Sequence, residues 1–172
     1  MSTKRPVDPY IAKFITVMSE EMQIYNELLL TLRQKQANII EGKVEDLQES
    51  VNKEQLVLKE QERLEKNRTA SMKKIQEIVG SDEEIKNLSQ IIKLAESTYA
   101  ERLSEIHLSL QKIIQEVILV NEENRYLLEY SLKFVRESAR ELVRASDQVT
   151  VYTTEGKGDA GSGSSALIEG KI

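Results

Sequence analysis

The stretch VNEENRYLLEYSLKFV, Val120 to Val135, decides how this chain is read. Apolar residues recur through it at the three- and four-residue steps of a helix face. Yet Asn121 and Asn124 stand where that rhythm reserves a place for hydrophobes. One such amide on a coiled-coil seam fixes register and orientation at a cost in stability. Two amides three residues apart lie on nearly the same face, so both can reach one neighbouring helix or bond each other. Just after them, Tyr126, Leu127, Leu128 and Tyr130 spread apolar or amphipathic side chains over most of the circumference. A helix apolar on more than one face needs more than one partner. A polar latch followed by surplus apolar surface is the pattern of a helix-binding groove.

Working outward, one stripe runs Tyr99, Leu103, Ile106, Leu110, Ile113, Val117, Val120, Asn124, Leu127, Ser131 and Phe134. A second begins late, with Leu128, Leu132, Val135, Ala139 and Leu142. Together they predict a last helix over 98–145, on the order of 70 Å long if continuous at ~1.5 Å per residue. Asp8 followed by Pro9 reads as a helix start, an N-cap acceptor before a proline that needs no donor. From there Ile11, Ile15, Met18, Met22, Tyr25, Leu29, Leu32 and Ile39 form a heptad seam. Phe14, Val17, Ile24 and Leu28 widen it to the face of a three- or four-helix bundle.

Gly42 is placed to end this first helix, 9–41. A second helix follows over 44–79, with Val44, Leu47, Val51 and Leu58 on its stripe. Its middle, KEQERLEKNRT, has Leu64 as its one apolar residue and is expected to overhang in solvent. Gly80-Ser81 breaks it, and Ser81-x-x-Glu84 reads as a capping box for a short helix over 82–96. A further break is expected around Ser97-Thr98, with Thr98-x-x-Glu101 capping the last helix. After Ser146, five of the seven glycines fall between Gly156 and Gly170, so 147–172 reads as a flexible tail. The fold expected is all-α: an elongated antiparallel three- to four-helix bundle or coiled-coil-like rod, one domain over 1–146.

Composition agrees with helices and narrows the chemistry. Of 172 residues, 31% are charged and 5% aromatic, and both prolines lie near the start. A net charge of −5 without a Lys/Arg stripe argues against nucleic acid. The chain has no cysteine, which excludes disulfides and thiolate metal sites and suits a reducing compartment. With neither a signal-like N-terminus nor a span-length apolar run, a cytoplasmic protein without stable membrane insertion is expected. His107 is the one histidine, and Ser104 stands where a di-iron Glu-x-x-His pair would need its carboxylate. No catalytic residue, metal or cofactor is expected. Binding through helix surfaces remains.

The residues from Asn121 to Leu132, NEENRYLLEYSL, resemble the Asn-x-x-Asn-x-x-Leu-Leu signature in the last helix of the flagellar export chaperone family FlgN. The run from Ile24 to Arg68 is similar to that family's first helical hairpin, with Leu47, Val51 and Glu54 at its LxxxVxxE-type positions. Tyr152, with Gly156 four residues on and the terminal ALIEGKI, resembles the family's ending, although this tail is glycine-rich and lacks a basic run. The resemblance implies a non-enzymatic chaperone of flagellar type III export. Its clients would be hook-associated (hook–filament junction) proteins, bound at a C-terminal amphipathic helix and kept from premature association. The export gate's cytosolic domain and the export ATPase complex would be further contacts. By position, Asn121, Asn124, Leu127 and Leu128 match the helix motif and Tyr152 the gate-docking tyrosine. The spacing of the second stripe adds Leu132, Val135 and Leu142 to the client surface. The competing reading is a homo-oligomeric coiled-coil scaffold, in which the same residues self-associate.

Overall fold

The computed structural model describes residues 6–80 and 85–154, with side chains described as far as residue 145. Among the described residues there are four helices and no strand: α1 (Asp8–Glu41), α2 (Val44–Val79), α3 (Leu88–Leu94) and α4 (Ser97–Thr154).

Helix α1 starts at Asp8, one residue earlier than expected, so the N-cap moves back to Val7. Val7 occupies that position without a side-chain cap, and its carbonyl accepts from the N–H groups of Tyr10 and Ile11, both at 3.0 Å. Asp8 lies inside the first turn, where its charge favours the helix dipole. Val7 is itself buried in the core, which favours a helix start at Asp8 over one at Pro9. At the other end Gly42 has φ +69°, the left-handed conformation that glycine adopts without strain. It permits a Schellman closure in which Lys43 N–H donates to Asn38 O at 3.0 Å and Gly42 N–H to Ile39 O at 3.3 Å. Lys43 then caps α2 through its backbone alone, leaving a two-residue turn.

Cross-helix pairs fix the packing direction. Asn38 meets Ser50, Tyr25 meets Gln61 and Glu21 meets Arg68, so α2 runs antiparallel to α1. Arg33 pairs with Glu116, and Gln36 with Glu123, so α4 runs parallel to α1. One apolar cluster gathers Ile11, Phe14 and Met18 of α1, Ile75 of α2, Ile91 of α3, and Leu103, Ile106 and Leu110 of α4. A second joins Leu28, Leu29 and Leu32 to Val57 and Val120. Truncating any of these fully buried side chains to alanine removes ~2–5 kcal/mol.

The middle of α2 does not overhang in solvent. Leu64 is among the most deeply buried residues, at 1% exposure. The flanking polar residues also face α1: Arg68 Nε donates to Glu21 Oε1 at 3.0 Å, and Gln61 Nε2 donates to the Tyr25 hydroxyl at 3.1 Å. Burial pushes the Glu21 carboxyl above its usual range, and the Arg68 guanidinium partly offsets that. One leucine with two polar pairs therefore holds a segment whose composition reads as surface.

The expected box at Ser81-x-x-Glu84 lies outside the described residues. The structure instead places a capping box at Asn87, whose Oδ1 accepts from Gln90 N–H at 3.1 Å while Gln90 Oε1 accepts from Asn87 N–H at 3.2 Å. Residues 85–87 are not helical, so this helix is shorter than the predicted 82–96. The break before α4 falls at Ala95, which is extended (φ −76°, ψ 155°). Ser97, rather than Thr98, pairs with Glu101, its hydroxyl donating to Oε1 at 3.1 Å.

Helix α4 then continues for 58 residues to Thr154, past the end expected at 145. Residues to Glu129 belong with α1–α3 to one compact unit, and Tyr130 begins a second. Within the first unit, α1–α4 pairs lie 83, 87 and 92 positions apart in sequence.

Candidate functional site

The two amides of the signature stretch do different things. Asn124 is 1% exposed, and its Nδ2 donates to Leu32 O of α1 at 2.9 Å. It sits beside Val120, whose side chain joins the Leu28–Leu29–Leu32–Val57 cluster. Asn121 is exposed. The expected shared contact of both amides with one neighbouring helix does not form: three helical steps turn Asn121 by ~60°, out of the interface. Leu127 and Leu128 are half-buried, the last of the signature residues that the first unit shields. Asn124 is thus part of the interior of the first unit.

From Tyr130 onward the helix has a different character. Leu132, Val135 and Leu142 are 54%, 62% and 72% exposed, and Val143 and Ala139 are exposed too. At ~100° per residue these five side chains fall within an arc of about 100°. Their core, Leu132, Val135, Ala139 and Leu142, repeats the three- and four-residue steps of a heptad seam. Ser131 and Phe134, expected at the end of the packing stripe, are both exposed and off this arc. Tyr130 and Phe134 lie on the opposite side, with Glu137 and Glu141. Tyr152 falls on α4, but its side chain lies outside the described residues, as does everything from 155 on.

The edges of the arc differ from each other, a feature that hydrophobic spacing alone does not show. On one side follow Arg136, Arg140 and Lys133; on the other, Ser131, Ser138 and Ala145. Lys133 Nζ lies 3.9 Å from Glu137 Oε1, an exposed i,i+4 pair. Reading charge sign along each helix face, as well as hydrophobicity, would have found this edge.

Elsewhere the first unit has a groove between α1 and α2 lined by residues including Leu30, Thr31, Asn38, Ser50 and Leu56. Its floor is polar: Asn38 Nδ2 donates to Ser50 Oγ at 2.9 Å, and Lys35 pairs with Glu54 at 2.6 Å nearby. His107 is half-buried on α4. Among the described residues no group of three or more His, Cys, Asp or Glu side chains is placed to hold a metal ion. No helix among them is long and apolar enough to cross a membrane.

Among the described residues, α4 carries an exposed apolar seam at helical spacing. Compared with known families, the chain matches the model described as FlgN protein over residues 1–159. No curated protein and no solved structure gives a match.

Proposed function

Starting from a chain that belongs to the FlgN family of flagellar export chaperones, we propose that it binds the C-terminal amphipathic helix of hook–filament junction proteins. It keeps them from associating prematurely in the cytoplasm and delivers them to the export gate. The carrying observation is the exposed seam of Leu132, Val135 and Leu142. A monomeric protein rarely leaves a heptad-spaced seam open unless something else covers it. A client helix laid along it is helix-in-groove recognition, read through anchors at i, i+3 and i+10.

Three side chains at ~1.5–3 kcal/mol each supply roughly 4–9 kcal/mol gross, before association costs of similar size. The net range runs from weak to micromolar, which suits a complex that must release its client. Asn124 enters this reading as a bundle residue that ties α4 to α1 within the first unit, not as a client contact. Leu127 and Leu128 would extend the seam, and Tyr152 is assigned to gate docking by its likeness to the family's tail tyrosine.

The test is calorimetry of the full chain with a peptide copying such a client helix, beside the Leu132→Glu/Leu142→Glu variant. One-to-one binding lost in the folded variant supports the proposal. A wild-type chain that ignores the peptide and self-associates through the same residues supports a scaffold instead.

A further inference from the structure

Resting on the helix-client reading, we propose that the seam of α4 selects a partner helix with an acidic edge along one side of its apolar stripe. The asymmetry of the seam carries this. Between Tyr130 and Ala145 stand four positive side chains, Lys133, Arg136, Arg140 and Arg144, and two negative ones, Glu137 and Glu141, in a chain whose net charge is −5. The positive charges are not scattered. Arg136 adjoins Leu132 and Val143 at the border of the apolar arc, and Arg140 and Lys133 follow it around the helix; exposed Glu129, one heptad before Arg136, bounds this basic stretch on its N-terminal side. The opposite border holds only Ser131, Ser138 and Ala145. In heptad terms Arg136 occupies a flanking position of the kind that sets partner choice and orientation, while its counterpart positions are small and neutral.

The partner is therefore read on two edges at once. Over Ser131, Ser138 and Ala139 there is room for bulky apolar side chains and a close backbone approach. Over Arg136 and Arg140, a Glu or Asp gains attraction and a Lys or Arg meets repulsion. This fixes which way round the helix lies, because only one edge of the partner can be acidic and still face the arginines.

A second copy of the chain fits poorly, since it brings the same basic edge: antiparallel pairing sets Arg136 toward like charge, and parallel pairing sets it against serine. An anionic membrane fits poorly as well. Basic residues flank only one side of the arc, and the exposed rings of Tyr130 and Phe134 lie on the side away from it, where an immersed helix would leave them in water.

Two synthetic helices of about 25 residues test this, each with Leu at the seam positions and differing only along one edge, Glu in one and Lys in the other. Each is titrated into the full chain by calorimetry. The Glu-edged peptide is expected to bind ~10-fold or more tightly than the Lys-edged one, the sum of a few exposed charge pairs made or opposed. That advantage shrinks as salt rises from about 0.05 to about 0.5 M. In the Arg136→Glu/Arg140→Glu variant, with helicity checked by circular dichroism, the preference reverses. Equal affinity for both peptides overturns the acidic-edge proposal while leaving helix binding intact, and so does a preference that survives in the variant. Failure of both peptides contradicts the helix-client reading itself, and binding to phosphatidylglycerol vesicles in their place would make the seam a lipid surface.

Discussion

Replacing Asn124 separates a residue that builds the bundle from one that touches a client. Its Nδ2 lies 2.9 Å from the Leu32 carbonyl, at 1% exposure, beside the Leu28–Leu32–Val120 cluster. In Asn124→Ala the hydrogen bond goes, worth about 0.5–1.5 kcal/mol net, and the truncated side chain leaves a small void that adds about 1 kcal/mol. The expected loss is therefore ~1.5–2.5 kcal/mol, or a melting temperature lower by ~3–10 °C for a chain of this size. Asn124→Leu should behave differently. It restores an apolar residue to an apolar cluster, and Leu32 O keeps its intrahelical bond, so stability should change by less than ~1 kcal/mol or rise. Urea unfolding followed by far-ultraviolet circular dichroism measures both variants. In both, client-peptide affinity should stay within about 3-fold of wild type, since the side chain does not reach the seam. An Asn124→Ala protein of unchanged stability that no longer binds the peptide would refute the placement of this residue inside the bundle.

Other outcomes follow from the same packing. Leu64→Ala should cost ~2–5 kcal/mol in urea unfolding, whereas a solvent-exposed leucine at that position would cost almost nothing. Gly42→Ala should lose about 1 kcal/mol: at φ +69° a side chain is strained even with open space around it. Arg68→Ala leaves Glu21 buried without its cation and should cost ~2–4 kcal/mol at neutral pH, at the low end because Arg68 is itself 35% exposed. Glu21 already has a raised carboxyl pKa, so its ionisation costs stability progressively as pH climbs from the unfolded value through the folded one. Without Arg68 that folded value rises further. The variant should therefore regain stability relative to wild type as pH is lowered toward the unfolded value of 4.5, and Glu21→Gln should rescue it at pH 7. A variant deficit independent of pH would show that the pair does not control Glu21.

The hairpin was legible because its punctuation is chemical: Gly42 and Gly80 both adopt the positive φ that ends a helix, and the heptad seam of α1 is dense. The middle of α2 was not, since Leu64 is its one buried apolar residue and polar pairs flank it. Which of two asparagines faces inward depends on ~60° of helix rotation, finer than an apolar pattern resolves. The partner of an α4 residue within the first unit lies 83 to 92 positions away in α1, beyond the reach of a local pattern. The end of α4, expected at 145, lies at Thr154: the composition changes after Ser146, but the first glycine after α4 is Gly156. The seam residues Leu132, Val135 and Leu142 were found by spacing; their basic edge was missed because charge sign was counted over the chain and not around the helix.

Amide hydrogen exchange of the full chain, with and without a saturating client-helix peptide, tests the central claim most directly. A client seated on the α4 seam should slow exchange across 130–145, where Leu132, Val135 and Leu142 are exposed, and leave α1 and α2 unchanged. Protection confined to the α1–α2 groove around Leu30, Thr31 and Leu56, with 130–145 still exchanging as in the free chain, would contradict it.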